Sequence, residues 1–291
     1  MWLVGSPISL ARLGGRFPLT RTSRGDTRIV PTSVTRRGVD IISRAHAARG
    51  ILAIRGPAGI GKTTAIQEAK AKYGDGVIVV TPRQVNTPIG YALRLTLDVL
   101  RVHIGASPIE GQATSELLQH KIALDLRTWF SSRFAMKLFK GTPPYCTIIF
   151  DESQNLSARA LDALRRWNDR TVSLPRPPIG LVFVGETGPA SREDPDWTGV
   201  VAGVGDHLSG AVESFGYHDL SDEDIQRVVQ ANGLKSPEAV SALLDYCRQQ
   251  PPNRDLRTVL RIVRDAKNEA RSGIASAANI VVAIRSGMRR A

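Results

Sequence analysis

Eight consecutive residues, Gly56-Pro57-Ala58-Gly59-Ile60-Gly61-Lys62-Thr63, constrain this chain more than anything else in it. They satisfy the pattern G-x-x-x-x-G-K-[ST] and stand between a short apolar run, 51–55, and a segment of helical pattern, 62–73. A strand that turns tightly into a helix through glycines gathers successive backbone N–H groups around one anion site at the helix N-terminus. In that arrangement residues Gly56 to Gly61 cradle a polyphosphate, and Lys62 reaches its β- and γ-phosphates. The Thr63 hydroxyl then ligates Mg2+, and Thr64 closes the ATP-binding segment.

The rest of the pattern fits around that loop. Apolar, β-branched runs at 51–55, 77–81, 147–150 and 180–184 alternate with helical stretches at 62–73, 87–104, 114–139 and 157–169. Strands that are continuously apolar and alternate with helices predict an α/β fold, a P-loop nucleotide-binding domain whose parallel sheet is sandwiched by helices. A short helix, 39–49, precedes the first strand. Beyond residue 220 strands cease, and four helical segments, 221–232, 236–249, 254–271 and 275–286, predict a small all-helical lid domain. Ser221 and Asp224 have capping-box spacing at the start of the first. The division is therefore a basic, loosely ordered arm over 1–37, a core over 38–219 and a lid over 220–291.

The third strand ends Ile148-Ile149-Phe150-Asp151-Glu152. A carboxylate at a strand end beside a phosphate loop holds Mg2+ through water, which assigns Asp151 to the metal. Glu152, one residue on, is placed to orient and deprotonate an attacking water, and with Lys62 makes up the catalytic pair. The fourth strand ends in Glu186-Thr187, where a polar residue can sense the γ-phosphate. A carboxylate there is repelled by a triphosphate unless it faces water or metal, so the pair is either a sensor or an ordinary strand-end turn.

Composition narrows the partners. The chain has 291 residues, 42% of them apolar and 23% charged, enough to bury a sizeable core, and a net charge of +12. That charge is uneven. Residues 1–50 carry nine Arg and two Asp, a net of +7, and residues 251–291 carry eight Arg, one Lys and three acids, a net of +6; the remaining 200 are near neutral. Two basic ends on a neutral body favour a polyanionic partner such as nucleic acid. Two cysteines suit a reduced, cytoplasmic protein and exclude a disulfide scaffold. No apolar stretch reaches membrane-spanning length. Five histidines form no close pair, and no G-x-S-x-G elbow occurs, so no metal site beyond Mg2+ and no serine hydrolase is indicated.

The phosphate loop, the element Asp151-Glu152-Ser153-Gln154-Asn155-Leu156 with its following helix 157–165, and the strand Gly180-Leu181-Val182-Phe183-Val184-Gly185 together resemble the AAA+ ATPases of the phage Mu B and TniB type, helpers that select target DNA in transposition. The resemblance spans roughly residues 38–270. It implies slow ATP hydrolysis stimulated by DNA or a partner, assembly into a ring or filament, non-specific binding of duplex DNA, and delivery of that DNA to a transposase. It also implies a lid arginine that reaches the γ-phosphate, with Arg254 at the matching position and Arg257, one turn on, as the alternative. Glu186 departs from the Asn or Gln usual at the strand end. The arginine finger of a neighbouring subunit has only Arg170 and Arg192 as candidates. Helicase loaders and secretion-type ATPases share much of the pattern, and a nucleotide-gated interaction module that never touches DNA is the reading from a different class.

Arg254, Arg257, Arg261 and Arg264 fall on one face of a helix, with Leu256, Val259, Leu260 and Val263 on another. Guanidinium rows suit phosphates, which makes Arg257, Arg261 and Arg264 candidates for DNA contact. One sensing arginine with solvated neighbours, or a face paired to another subunit's acids, fits the same spacing.

Overall fold

The computed structural model describes residues 29–107, 111, 113–137, 146–170, 179–186, 212–270 and 274–288. The first element is α1 (Ser33–Ala48). Thr32 caps it, accepting the Thr35 backbone N–H at 3.1 Å. The helix thus starts six residues ahead of the expected 39, and the boundary drawn at 37 falls inside it. Gly38 explains the misreading. It is an interior helical glycine, because a Cβ there would lie 2.7 Å from the Cβ of Ala65, and the two helices that flank the phosphate loop could not approach as closely.

Among the described residues five strands follow in one sheet: β1 (Ile51–Gly56), β2 (Val77–Val80), β3 (Cys146–Asp151), β4 (Ile179–Glu186) and β5 (Val212–Ser214). Their order is β2-β3-β4-β1-β5 and every pairing is parallel. Between them run α2 (Lys62–Tyr73), α3 (Ile89–His103), α4 (Ser115–Lys137) and α5 (Ala158–Arg170). The edge strand β5 was not expected; it is three residues long and half-exposed, so it carries no continuous apolar run to betray it.

Alternation along the strands divides the core into two. Ile148, Phe150, Leu181 and Phe183 pack with α3, α4 and α5 on one face, where the Phe150 and Phe183 rings stack at 5.4 Å. Ile149, Val182 and Val184 pack with α1 and α2 on the other. Period-two alternation with both sets buried is what a sheet covered on both faces requires.

The lid has its own core, built by α6 (Asp222–Ala231), α7 (Pro237–Gln249), α8 (Leu256–Glu269) and α9 (Ala277–Met288). Ser221 and Asp224 form the predicted capping box at α6. Asp224 is also the tie between lid and sheet domain. Only 1% exposed, its carboxylate accepts the backbone N–H of Ser33 at 3.1 Å, the Ser33 hydroxyl, and the guanidinium of Arg227. Burial alone would raise its pKa, but the hydrogen bonds from Ser33 and Ser221 and the charge of Arg227 outweigh burial and hold it below the ordinary 3.8. A carboxylate depressed on folding contributes stability above its unfolded pKa and loses it as pH falls through the folded value. Asp224→Ala, which strands those donors, is expected to cost about 3 kcal/mol at neutral pH. Thermal unfolding should show the gap between wild type and variant closing as the pH is taken below that folded value, as Asp224 is neutralised in the wild type too.

Candidate functional site

The site lies where β1, β3 and β4 end. Register places Gly56, the last residue of β1, opposite Glu186, the last of β4, and Asp151, the last of β3, opposite Val184. The loop after β1 needs its glycines. Gly59 has φ +70° and Gly61 φ +110°, the left-handed region, and a Cβ on Gly59 would collide with the Asp255 carboxylate. Ile60 is fully buried against α1 and α2 and anchors the loop from below. Lys62 Nζ donates to the carbonyls of Gly56 and Pro57, both at 2.8 Å. The lid reaches the same loop, where Leu256 N–H donates to the Gly59 carbonyl at 3.1 Å, and from the turn just before the lid the Tyr217 hydroxyl donates to the Ala58 carbonyl at 3.2 Å.

One pocket opens above the loop. Gly59, Gly61, Lys62, Thr63, Thr64, Glu152, Glu186 and Arg257 form its polar wall. Ile29, Val30, Val228, Leu256 and Leu260 form an aliphatic wall. Sequence reasoning missed the second wall. Ile29 and Val30 sit in the basic arm by composition, and Val228 and Leu260 belong to apolar stripes that look like any lid core. An aliphatic wall beside a phosphate loop has the polarity to take the apolar face of a nucleobase.

Burial lowers the pKa of Lys62 and the charge of Arg257 adds to that, while Glu186, Glu152 and Asp151 pull the other way. Asp151 is raised, first by burial and then by the neighbouring Glu152 charge, against the Glu152 N–H, Lys62 and Arg257. Three carboxylates and two cations therefore share one small volume.

The two candidate lid arginines are placed differently. Arg254 lies in a 3-10 turn (Pro251–Arg254), donates to the Leu220 carbonyl and pairs with Asp222 at 2.6 Å. It is turned away from the pocket, which Arg257 lines instead. The physical reason is Asp255, which caps α8 by accepting the Arg257 N–H at 3.0 Å. Arg254 thus precedes the helix and drops out of the arginine row. Arg261 and Arg264 continue that row on the exposed face, Arg264 with 68% of its side chain open. Thr187 and Arg192, and the side chain of Arg170, lie outside the described residues.

The family profile of the AAA domain matches residues 45–192, just over half of the chain. The chain belongs to the AAA domain family. Among solved structures this AAA protein is similar to Cdc6p from Pyrobaculum aerophilum, at 15% identity and a TM-score of 0.59 over 86% of this chain and 65% of that one. It is similar to the Aeropyrum pernix ORC2 protein, at 17% identity and a TM-score of 0.56 over 91% and 70%. The Aeropyrum pernix ORC1 protein follows at 14% identity and 0.52, over 90% and 66%. No curated protein matches. The AAA+ P-loop fold, parallel sheet plus helical lid, is thereby shared with the Cdc6 and ORC structures. The chain spans about two thirds of the length of those structures. Among the described residues no helix is long and apolar enough to cross a membrane.

Proposed function

We propose that this chain is a Mg2+-dependent ATPase that oligomerises with ATP, holds duplex DNA non-specifically in that state and presents it to a transposase. The pocket carries the first part: a phosphate loop, the carboxylates Glu152 and Glu186 and a lid arginine face one cavity with an aliphatic wall for the base, and Asp151 ends the neighbouring strand just behind it. Thr63 and Asp151 offer the hard oxygen ligands that magnesium prefers, and a divalent ion would offset both the burial and the neighbouring Glu152 charge that raise Asp151. Among the described residues no cluster of three His, Cys, Asp or Glu forms a metal site. When bound, the ion supplies neutralisation of charge on the phosphates. Lys62 and Arg257 hold the β- and γ-phosphates, and Glu152 takes the proton of the water that attacks the γ-phosphorus as the bond to ADP breaks.

DNA binding is supported by the exposed Arg261 and Arg264 on α8 and Arg285 on α9, together with the basic N-terminal residues. The ORC2 protein was solved in ADPNP-ADP complexes and the ORC1 protein in complex with DNA. The transposase as client rests on the motif resemblance over 148–185 alone, a pattern that helicase loaders largely share. Because the γ-phosphate bridges loop and lid, its loss favours release.

Fluorescence anisotropy of labelled duplex DNA tests this reading, with ATP, ADP or no nucleotide, at salt of about 50 and about 200 mM. Binding with ATP alone, lost by at least about tenfold at the higher salt, is expected. ATP-loaded protein that ignores DNA at low salt would remove DNA from the function, and capture of a helicase rather than a transposase would reassign the client.

A further inference from the structure

Gln154 stands just behind the pocket wall, on the turn Ser153–Asn155 that follows β3. Its amide Nε2 donates to Glu152 Oε2 at 2.5 Å, and its Oε1 accepts the backbone N–H of Glu186 at 3.0 Å. The orientation of the amide is fixed by chemistry. A carboxylate only accepts and a backbone N–H only donates, so the other flip would break both bonds. Glu186 is the residue paired in register with Gly56, where the phosphate loop begins.

The backbone beneath Gln154 is held independently of its side chain. Glu152 adopts the left-handed conformation, φ +60°. The Ser153 hydroxyl donates to the Phe150 carbonyl at 2.6 Å, and Asn155 Nδ2 donates to the Pro82 carbonyl at 3.0 Å. Thr87 N–H donates to the Asn155 carbonyl at 2.7 Å. The turn therefore sets where the Glu152 side chain leaves the chain, and Gln154 alone among these groups sets where its carboxylate points. A glutamate has three rotatable bonds and would otherwise sample solvent or swing toward Lys62.

We infer that Gln154 is a positioning residue for ATP hydrolysis, fixing the Glu152 carboxylate relative to the end of β4 so that proton transfer from water occurs in line with the phosphate loop. The inference rests on the ATPase reading. Gln154 does not line the pocket, so it acts on turnover through Glu152 and leaves nucleotide binding alone. Supporting groups that orient a reacting side chain are worth about 10–100-fold.

The test measures Mg-ATP hydrolysis and fluorescent ATP-analogue binding for the full chain as wild type, Gln154→Ala, Gln154→Glu, Glu152→Gln and the Gln154→Ala/Glu152→Gln double variant. Gln154→Ala should lower kcat by about 10–100-fold with KM and analogue affinity within about threefold. Gln154→Glu, whose ionised carboxylate cannot donate to that of Glu152, should fall as far above the carboxylate titration range, since the bond and not the side-chain volume matters. The double variant should be no slower than Glu152→Gln, because Gln154 acts through that carboxylate. Unchanged or faster turnover in Gln154→Ala overturns the inference, as does a full additional loss in the double variant. A wild-type chain that hydrolyses no ATP overturns the ATPase reading and the inference with it. Wild-type hydrolysis with an unaffected Gln154→Ala overturns the inference alone.

Discussion

Glu152→Gln is expected to bind ATP as well as the wild type and to hydrolyse it at least about 100-fold more slowly. The substitution keeps the size of the side chain and an oxygen that can still accept from Gln154 Nε2. It removes the negative charge and with it the proton acceptor. Binding is spared because Glu152 opposes the incoming phosphates: Glu152, Glu186 and Asp151 lie around a single buried ammonium, that of Lys62. Removing one carboxylate makes the cavity less hostile to a triphosphate. The same change acts on Asp151, whose pKa the Glu152 charge helps to raise. With that charge gone, Asp151 ionises at lower pH than in the wild type, so metal-dependent ATP affinity should persist further into acid in the variant. Filter binding of ATP alongside phosphate release, from neutral pH down through the carboxylate titration range, separates the two effects. Wild-type turnover in Glu152→Gln would exclude Glu152 as the base.

The loop and the two strand-end carboxylates were legible in the sequence because each is specified locally. Glycines at 59 and 61 are required by positive φ, and a β-branched strand delivers Asp151 and Glu152 to its end whatever surrounds it. What was not legible depends on long-range contact. Thr32 begins α1 with a cap that a reader scanning for apolar periodicity passes over, and Gly38 looks like a boundary until Ala65 is seen packed against it. The aliphatic wall combines residues almost 200 positions apart, Val30 and Val228, and nothing in either neighbourhood marks them as facing a ligand. A carboxylate at the end of β4 is unfavourable beside phosphate when its charge alone is counted, yet Glu186 has two further roles. Its backbone N–H supports Gln154, and its charge faces Lys62.

The two lid arginines should separate cleanly, and the second large effect falls on Arg257. Arg257→Ala is expected to lower kcat by about 100-fold or more while weakening ATP affinity far less, since a cation aimed at phosphate charge matters most in the transition state. Arg254→Ala should leave kcat within about threefold. Its cost appears in stability instead, about 1–2 kcal/mol, because the Leu220 carbonyl and Asp222 lose a shared donor at the junction of lid and core. The difference follows from helix phase. Asp255 ends the 3-10 turn and starts α8, so three residues of separation carry the guanidinium from the outer junction to the pocket. Steady-state hydrolysis and thermal unfolding on the same two preparations suffice to check this. A catalytic loss in Arg254→Ala with an intact Arg257→Ala would mean that ATP draws the lid into a different register, in which Asp222 releases Arg254 to the γ-phosphate.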